Sequence, residues 1–241
     1  MKKFLLATVA LVALGATAPA LAADLAARPY TKAPAYAPTP IYNWTGFYIG
    51  GHIGGEFAGN NSLSGSDGRF LGGIQGGADY QFSNNIVLGV EAQYSWLGNN
   101  NSGILFPASG AIVNSNNDQL GSVTGRLGYS FGSTLLYAKG GYAWKDGNNI
   151  STTIGGVPVA FATTGNRNDG YTVGAGLEYM FAPNWSAKVE YQYYNFGSTT
   201  FVAGPAGVAG SRFNDDEHTV KAGINYRFNW GNWGSPVVAK Y

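Results

Sequence analysis

Eight stretches of this 241-residue chain alternate in character from one residue to the next, and in all eight the acidic and basic residues fall on one parity only. They run near 45 to 57, 70 to 82, 86 to 97, 118 to 131, 134 to 145, 170 to 181, 185 to 196 and 217 to 228. A strand turns successive side chains to opposite faces, so each stretch builds a wall with one apolar and one polar face. In the third, Leu88, Val90, Ala92, Tyr94 and Trp96 oppose Gly89, Glu91, Gln93 and Ser95. In the eighth, Val220, Ala222, Ile224, Tyr226 and Phe228 oppose Thr219, Lys221, Asn225 and Arg227. At ~3.3 Å per residue and a tilt near 40°, each is long enough to cross an apolar band ~25 Å tall.

Soluble and membrane barrels share this alternation, and the composition of the two faces separates them. A soluble barrel turns its charges outward around an apolar core. A membrane barrel inverts this, because a Lys or Arg facing lipid at mid-bilayer costs roughly 2 to 4 kcal/mol. Here the apolar face is rich in Gly, a poor filling for a packed core. Charged residues make up only 11% of the chain, against about 25% in a soluble domain. The expected fold is therefore all-β, an eight-stranded antiparallel up-and-down transmembrane barrel over residues 44–228.

Aromatic placement gives the barrel its orientation. Tyr-x-Phe recurs at Tyr80/Phe82, Tyr129/Phe131, Tyr179/Phe181 and Tyr226/Phe228, spaced 49, 50 and 47 residues apart, about one hairpin with its loops. With Trp44 and Trp185 these pairs are expected to form a belt at one membrane interface, and Phe57, Phe70, Trp96 and Trp144 a belt at the other. Connections at the Tyr-x-Phe end are as short as Gly132-Ser133. Those at the opposite end are roughly 12, 20, 24 and 20 residues long and rich in Asn, Gly, Ser and Thr. Short periplasmic turns and long outer loops are the usual arrangement, so both ends of the barrel segment face the periplasm.

Residues 1–22 read as a secretory signal: Lys2-Lys3, an apolar run, then Ala20-Leu21-Ala22, with cleavage expected between Ala22 and Ala23. Loss of Lys2 and Lys3 takes the formal charge from +1 to −1, and nothing points to nucleic acid. Residues 23–43 carry Pro29, Pro34, Pro38 and Pro40 and read as an extended periplasmic linker, with 229–241 as a C-terminal extension. Cys is absent, which excludes disulfides and a lipidated Cys anchor.

Asn43-Trp44-Thr45-Gly46-Phe47-Tyr48-Ile49-Gly50-Gly51 after a Pro-rich lead, Val189-Glu190-Tyr191-Gln192-Tyr193, and Val220 to Phe228 as closing strand carry a family resemblance. In these the chain resembles the small OmpA-like or opacity-type outer-membrane proteins of alphaproteobacteria, often labelled "porin family". The resemblance implies outer-membrane lipid and lipopolysaccharide as surroundings and the barrel-assembly machinery as a partner in biogenesis. That machinery commonly reads a terminal aromatic, and here either Phe228 or Tyr241 can serve.

The inward charges are Asp79, Glu91, Glu178 and Glu190, with Glu56 near the top, against Arg126, Lys139, Lys188, Lys221 and Arg227. An eight-stranded barrel is just wide enough to be filled by side chains, so these groups are expected to pair as a lumen network. A narrow water or ion path is the alternative. Catalysis is not expected: the only histidines, His52 and His218, fall on opposite faces, and no metal or cofactor motif is present. Asp215-Asp216-Glu217 reads as a solvated loop end. Two roles follow, a structural barrel that stabilises the envelope and displays its loops, or a surface binder or adhesin of unknown ligand. The second draws on apolar runs inside the outer loops: Ile104-Leu105-Phe106, Val157 to Phe161, and Phe201-Val202-Ala203.

Overall fold

Strict alternation without internal Pro gives long strands, and the strands close on themselves. The computed structural model describes residues 42–59, 61–62, 68–98, 103–116, 118–146 and 149–229. Ala22, Ala23, the rest of segments 1–22 and 229–241 apart from Asn229, and the linker before Tyr42 lie outside the described residues. The strands in chain order are β1 (Gly46–Ala58), β2 (Arg69–Gln81), β3 (Ile86–Leu97), β4 (Gly103–Phe106), β5 (Ala111–Asn116), β6 (Gln119–Phe131) and β7 (Thr134–Asp146). They continue with β8 (Asn149–Ile154), β9 (Val157–Pro158), β10 (Ala162–Thr164), β11 (Asp169–Ala182), β12 (Trp185–Ala203) and β13 (Arg212–Asn229).

Eight of these form the barrel, in the order β12-β11-β7-β6-β3-β2-β1-β13, and the β12–β13 pairing closes the ring. Every neighbouring pair is antiparallel, with Gly46↔Asn229 at one end of the β1–β13 seam and Ala58↔Glu217 at the other. Closure removes sheet edges within the lipid, where an unpaired backbone amide costs several kcal/mol.

The apolar parity faces outward in all eight strands: Ile49, Ile74, Val90, Leu127, Leu136, Val173, Val189 and Ile224 are exposed. The rings of Tyr80 and Phe82, Tyr129 and Phe131, and Tyr226 and Phe228 lie edge to face at 4.8–4.9 Å between centroids. Tyr179, Phe181 and Trp185 share that level of the wall and are exposed. At the other end Tyr94 and Trp96 also lie edge to face, and Tyr142 stacks on Trp144 at 6.0 Å.

Trp44 does not join the belt expected of it. Its side chain is 0% exposed, whereas Trp185 is 43% exposed. Trp44 precedes β1 and shares the parity of Tyr48, which points inward. Gly46, with φ of 145°, a conformation that favours glycine, brings the chain round so that the indole enters the barrel.

Where described, the outer connections at 103–116, 149–164 and 197–216 are folded rather than plain solvated segments. β4, β5, β8 and β9 form a second antiparallel sheet, and β12 and β13 continue past the barrel to pair as far as Thr200↔Arg212. The β6–β7 hairpin keeps a single register from Phe131↔Thr134 through Gln119↔Asp146 and on along β5 and β8 to Ala111↔Ile154. Odd-numbered Val123 and Leu127 face lipid, while Ala111 and Val113 of the same parity are buried. The ribbon turns its apolar face from lipid into a small core as it leaves the membrane.

That core unites the three loop runs. Ala111, Val113, Phe201, Val208 and Phe213 are buried together, with Ile104, Phe106, Ile150, Ile154 and Phe161 packed on them. Each of the three runs thus contributes to this core, through Ile104 and Phe106, through Phe161 and through Phe201, while Leu105, Val157 and Val202 stay exposed.

Candidate functional site

Inward parity carries the polar residues of all eight strands into the lumen, and they fill it in layers. At the periplasmic end Trp44, Val87, Leu135, Tyr137 and Met180 make an apolar plug, with Tyr42 against it. The Trp44 indole N–H donates to the Gly132 carbonyl at 3.1 Å, and the Arg227 guanidinium lies 4.7 Å from its ring.

The central layer is charged. Glu91 accepts from Tyr48 at 2.8 Å, from Lys139 at 2.8 Å, from Lys188 at 2.9 Å and from Gln93 at 3.0 Å. Glu190 faces Lys139 at 2.8 Å and Lys221 at 3.5 Å, and accepts from Tyr137 at 2.7 Å. Arg126 reaches Glu178 at 2.8 Å and stacks 4.1 Å from the Tyr137 ring. Arg227 spans Asp79 at 2.5 Å and Glu178 at 3.0 Å, and also donates to the Trp44 carbonyl. All nine charged groups, Asp79, Glu91, Arg126, Lys139, Glu178, Lys188, Glu190, Lys221 and Arg227, are buried.

Such pairing is a condition of burial. An ion in a low-dielectric interior costs several kcal/mol unless a counter-charge and hydrogen bonds replace its water. Here Glu91, Glu178 and Glu190 each have several donors, while Asp79 is held by the Arg227 bond, with Arg126 3.7 Å away. Neutral groups complete the layer: Lys221 donates to Gln192 at 2.6 Å and Tyr194 at 3.1 Å, and His52 bonds Ser95 at 2.8 Å. Glycines make room for the rings. A β-carbon on Gly77 would stand 2.5 Å from the Tyr48 hydroxyl, and one on Gly176 2.5 Å from that of Tyr137, each directly opposite on the neighbouring strand.

Above the charged layer the lumen is apolar again, with Leu71, Leu97, Leu120, Ala143, Tyr194 and Phe196 packed together. Ion pairs follow it: Arg69 with Glu56 at 2.7 Å, and Lys145 with Asp215 at 2.5 Å, the Lys145 ammonium 4.9 Å from the Phe196 ring. Sequence reasoning left out Arg69 and Lys145 and placed Glu217 in solvent, yet Glu217 is buried. Its parity, that of Thr219 and Lys221, was the available signal. His52 lies inside, and His218 lies on the outer face beside Tyr191, 2.6 Å from its hydroxyl. No group of three or more His, Asp or Glu able to hold a metal occurs among the described residues.

A closed eight-stranded ring with lipid-facing aliphatics, two aromatic levels and a buried charge network is the architecture of a bacterial outer-membrane barrel. The sequence matches the family described as outer membrane protein beta-barrel domain over residues 8–228. The chain belongs to that family. It is 33% identical over 249 residues to the 31 kDa outer-membrane immunogenic protein of Brucella melitensis biotype 1, across 95% of this chain and 100% of that protein. It is 32% identical over 194 residues to the 22 kDa outer membrane protein of Rhizobium leguminosarum bv. viciae, across 78% of this chain and 80% of the relative. The crystal structure of Neisserial surface protein A is similar with a TM-score of 0.44 at 19% identity, over 76% of this chain and 98% of that one. The protein is an outer-membrane β-barrel protein of a Gram-negative bacterium, in keeping with the alphaproteobacterial resemblance of its motifs.

Proposed function

We propose that this barrel is a structural, non-conducting element of the outer membrane that stabilises the envelope and holds a folded cap at the cell surface. The observation that carries this reading is the central layer, where Lys188 of β12 bonds Glu91 of β3 across the lumen and an apolar plug lies on either side. An ion crossing it has to part several buried pairs at once, each costly to break. On the same reading residues 1–22 are removed on export, 23–43 form a periplasmic linker and 229–241 an extension. The aromatic belts seat the wall among lipid and lipopolysaccharide, and the barrel-assembly machinery inserts it.

Planar-bilayer recording of the purified barrel tests the filled lumen, with no steady conductance expected; a reproducible open level overturns it. Detergent sensitivity of a deletion strain tests the envelope role. Rescue is expected from the full chain and equally from a chain whose cap residues 103–116 and 149–164 are replaced by short Gly-Asn turns. A second reading, surface binding through the cap, is favoured by the exposed Leu105 and Val157. It requires that cap replacement abolish attachment or ligand retention while resistance persists.

A further inference from the structure

The small sheet above the barrel has two unlike faces. One packs Ile104, Phe106, Ala111, Val113 and Ile154 into the cap core. On the other the register sets Leu105 beside Ile112, Ile112 beside Thr153 and Thr153 beside Pro158. Leu105 is 59% exposed and Ile112 40%. This row stands beyond the outer aromatic belt, where lipid no longer shields it.

Two further properties belong to this sheet. No Asp, Glu, Lys, Arg or His occurs from 103 to 116 or from 149 to 166. β4 is also an edge strand, paired among the described residues with β5 alone. Native sheets blunt such edges with charge, Pro, bulges or very short strands, because an open edge templates pairing with another chain. The opposite edge is blunted, since β9 is two residues long and includes Pro158. Gly103–Phe106 is also short, at four residues, but carries neither charge nor Pro within the strand.

We propose that the β4 edge and the Leu105–Ile112 row form a contact surface for a second copy of this chain. A two-fold contact brings each residue near its own counterpart, so it needs a surface that does not repel itself, and a charge-free one satisfies this. A charged partner finds no counter-charge here. Insertion in one orientation sets every copy's β4 at the same height above the membrane. Confinement to the membrane plane also raises effective concentration. A contact well below the ~1,200 Å² of a stable soluble complex then suffices.

The chain has no Cys, so single cysteines report cleanly. Oxidised with copper–phenanthroline, Leu105→Cys protein in vesicles of outer-membrane lipid, at low protein-to-lipid ratio, is expected to form disulfide dimers several-fold faster than Val202→Cys, which is equally exposed in the cap but lies on β12 and reports random encounters. Copies labelled at Ser83→Cys with donor and acceptor dyes are expected to show energy transfer that falls to the random level when Leu105→Lys is added. The unheated-gel mobility shift verifies that every variant is folded. Equal cross-linking at both positions, or transfer that survives Leu105→Lys in folded protein, overturns the proposal. So does a foreign polypeptide that occupies β4 and excludes the second copy.

Discussion

Lys188 on β12 extends across the lumen to place its ammonium 2.9 Å from the Glu91 carboxylate on β3, a strand on the far side of the ring. Glu91 also anchors Lys139 and Tyr48, so one acidic side chain ties four strands together. Glu91→Ala leaves two ammonium groups short of a counter-charge in a site closed to water. The expected loss is about 3 to 5 kcal/mol, read as a lower urea midpoint in detergent or vesicles. In Glu91→Gln/Lys188→Met the cost is expected to be smaller than the sum of the two single losses, because the residues share one network.

The two Tyr–Gly pairs predict a steric effect. In Gly176→Val the new side chain meets the Tyr137 ring, which is fixed by Glu190 and stacked under Arg126. Overpacking of about 1 to 3 kcal/mol is expected, while the same change at outward Gly140, where a β-carbon meets only ordinary contacts, is expected to be nearly neutral. Thermal midpoints of the unheated-gel shift compare the two.

Trp44 and Trp185 are expected to answer differently to their surroundings. Brominated lipids quench an indole that faces acyl chains, so removal of Trp185 diminishes quenching and removal of Trp44 does not. Trp44→Ala is expected to cost about 3 to 5 kcal/mol through the void left in the plug, and Trp185→Ala less.

The wall predicts a depth dependence. Val90→Arg puts a charge on the lipid face in mid-strand and is expected to cost roughly 2 to 4 kcal/mol. Val202→Arg, equally exposed but in the cap, is expected to change stability by less than about 0.5 kcal/mol. Equilibrium unfolding of each variant in vesicles gives the two values.

Most of the barrel was legible because side-chain direction in a strand depends on parity alone, and a lipid-facing wall tolerates no charge. Strand ends were less legible. Arg69, Leu71 and Glu217 continue the inward parity of Gln75 and Lys221, but they lie where the sequence turns polar and loop-like. Trp44 was read by its residue type, as a belt aromatic, although its spacing from Tyr48 is that of a lumen residue. The apolar plugs escaped notice because the inner face was read for its charges. The cap required long-range pairing between loops 103–116 and 149–154, which no local pattern reveals.

The β5–β6 and β7–β8 ribbon, in one register from the periplasmic turn to Ile154, has a mechanical meaning. A pull on the outer end of that hairpin, as when the cell is dragged through its medium by something attached to its surface, loads the rungs of the ladder together. The load passes into strands whose side chains are bonded across the lumen to the opposite wall. That ribbon of the cap therefore hands its load to rungs that belong to the barrel wall.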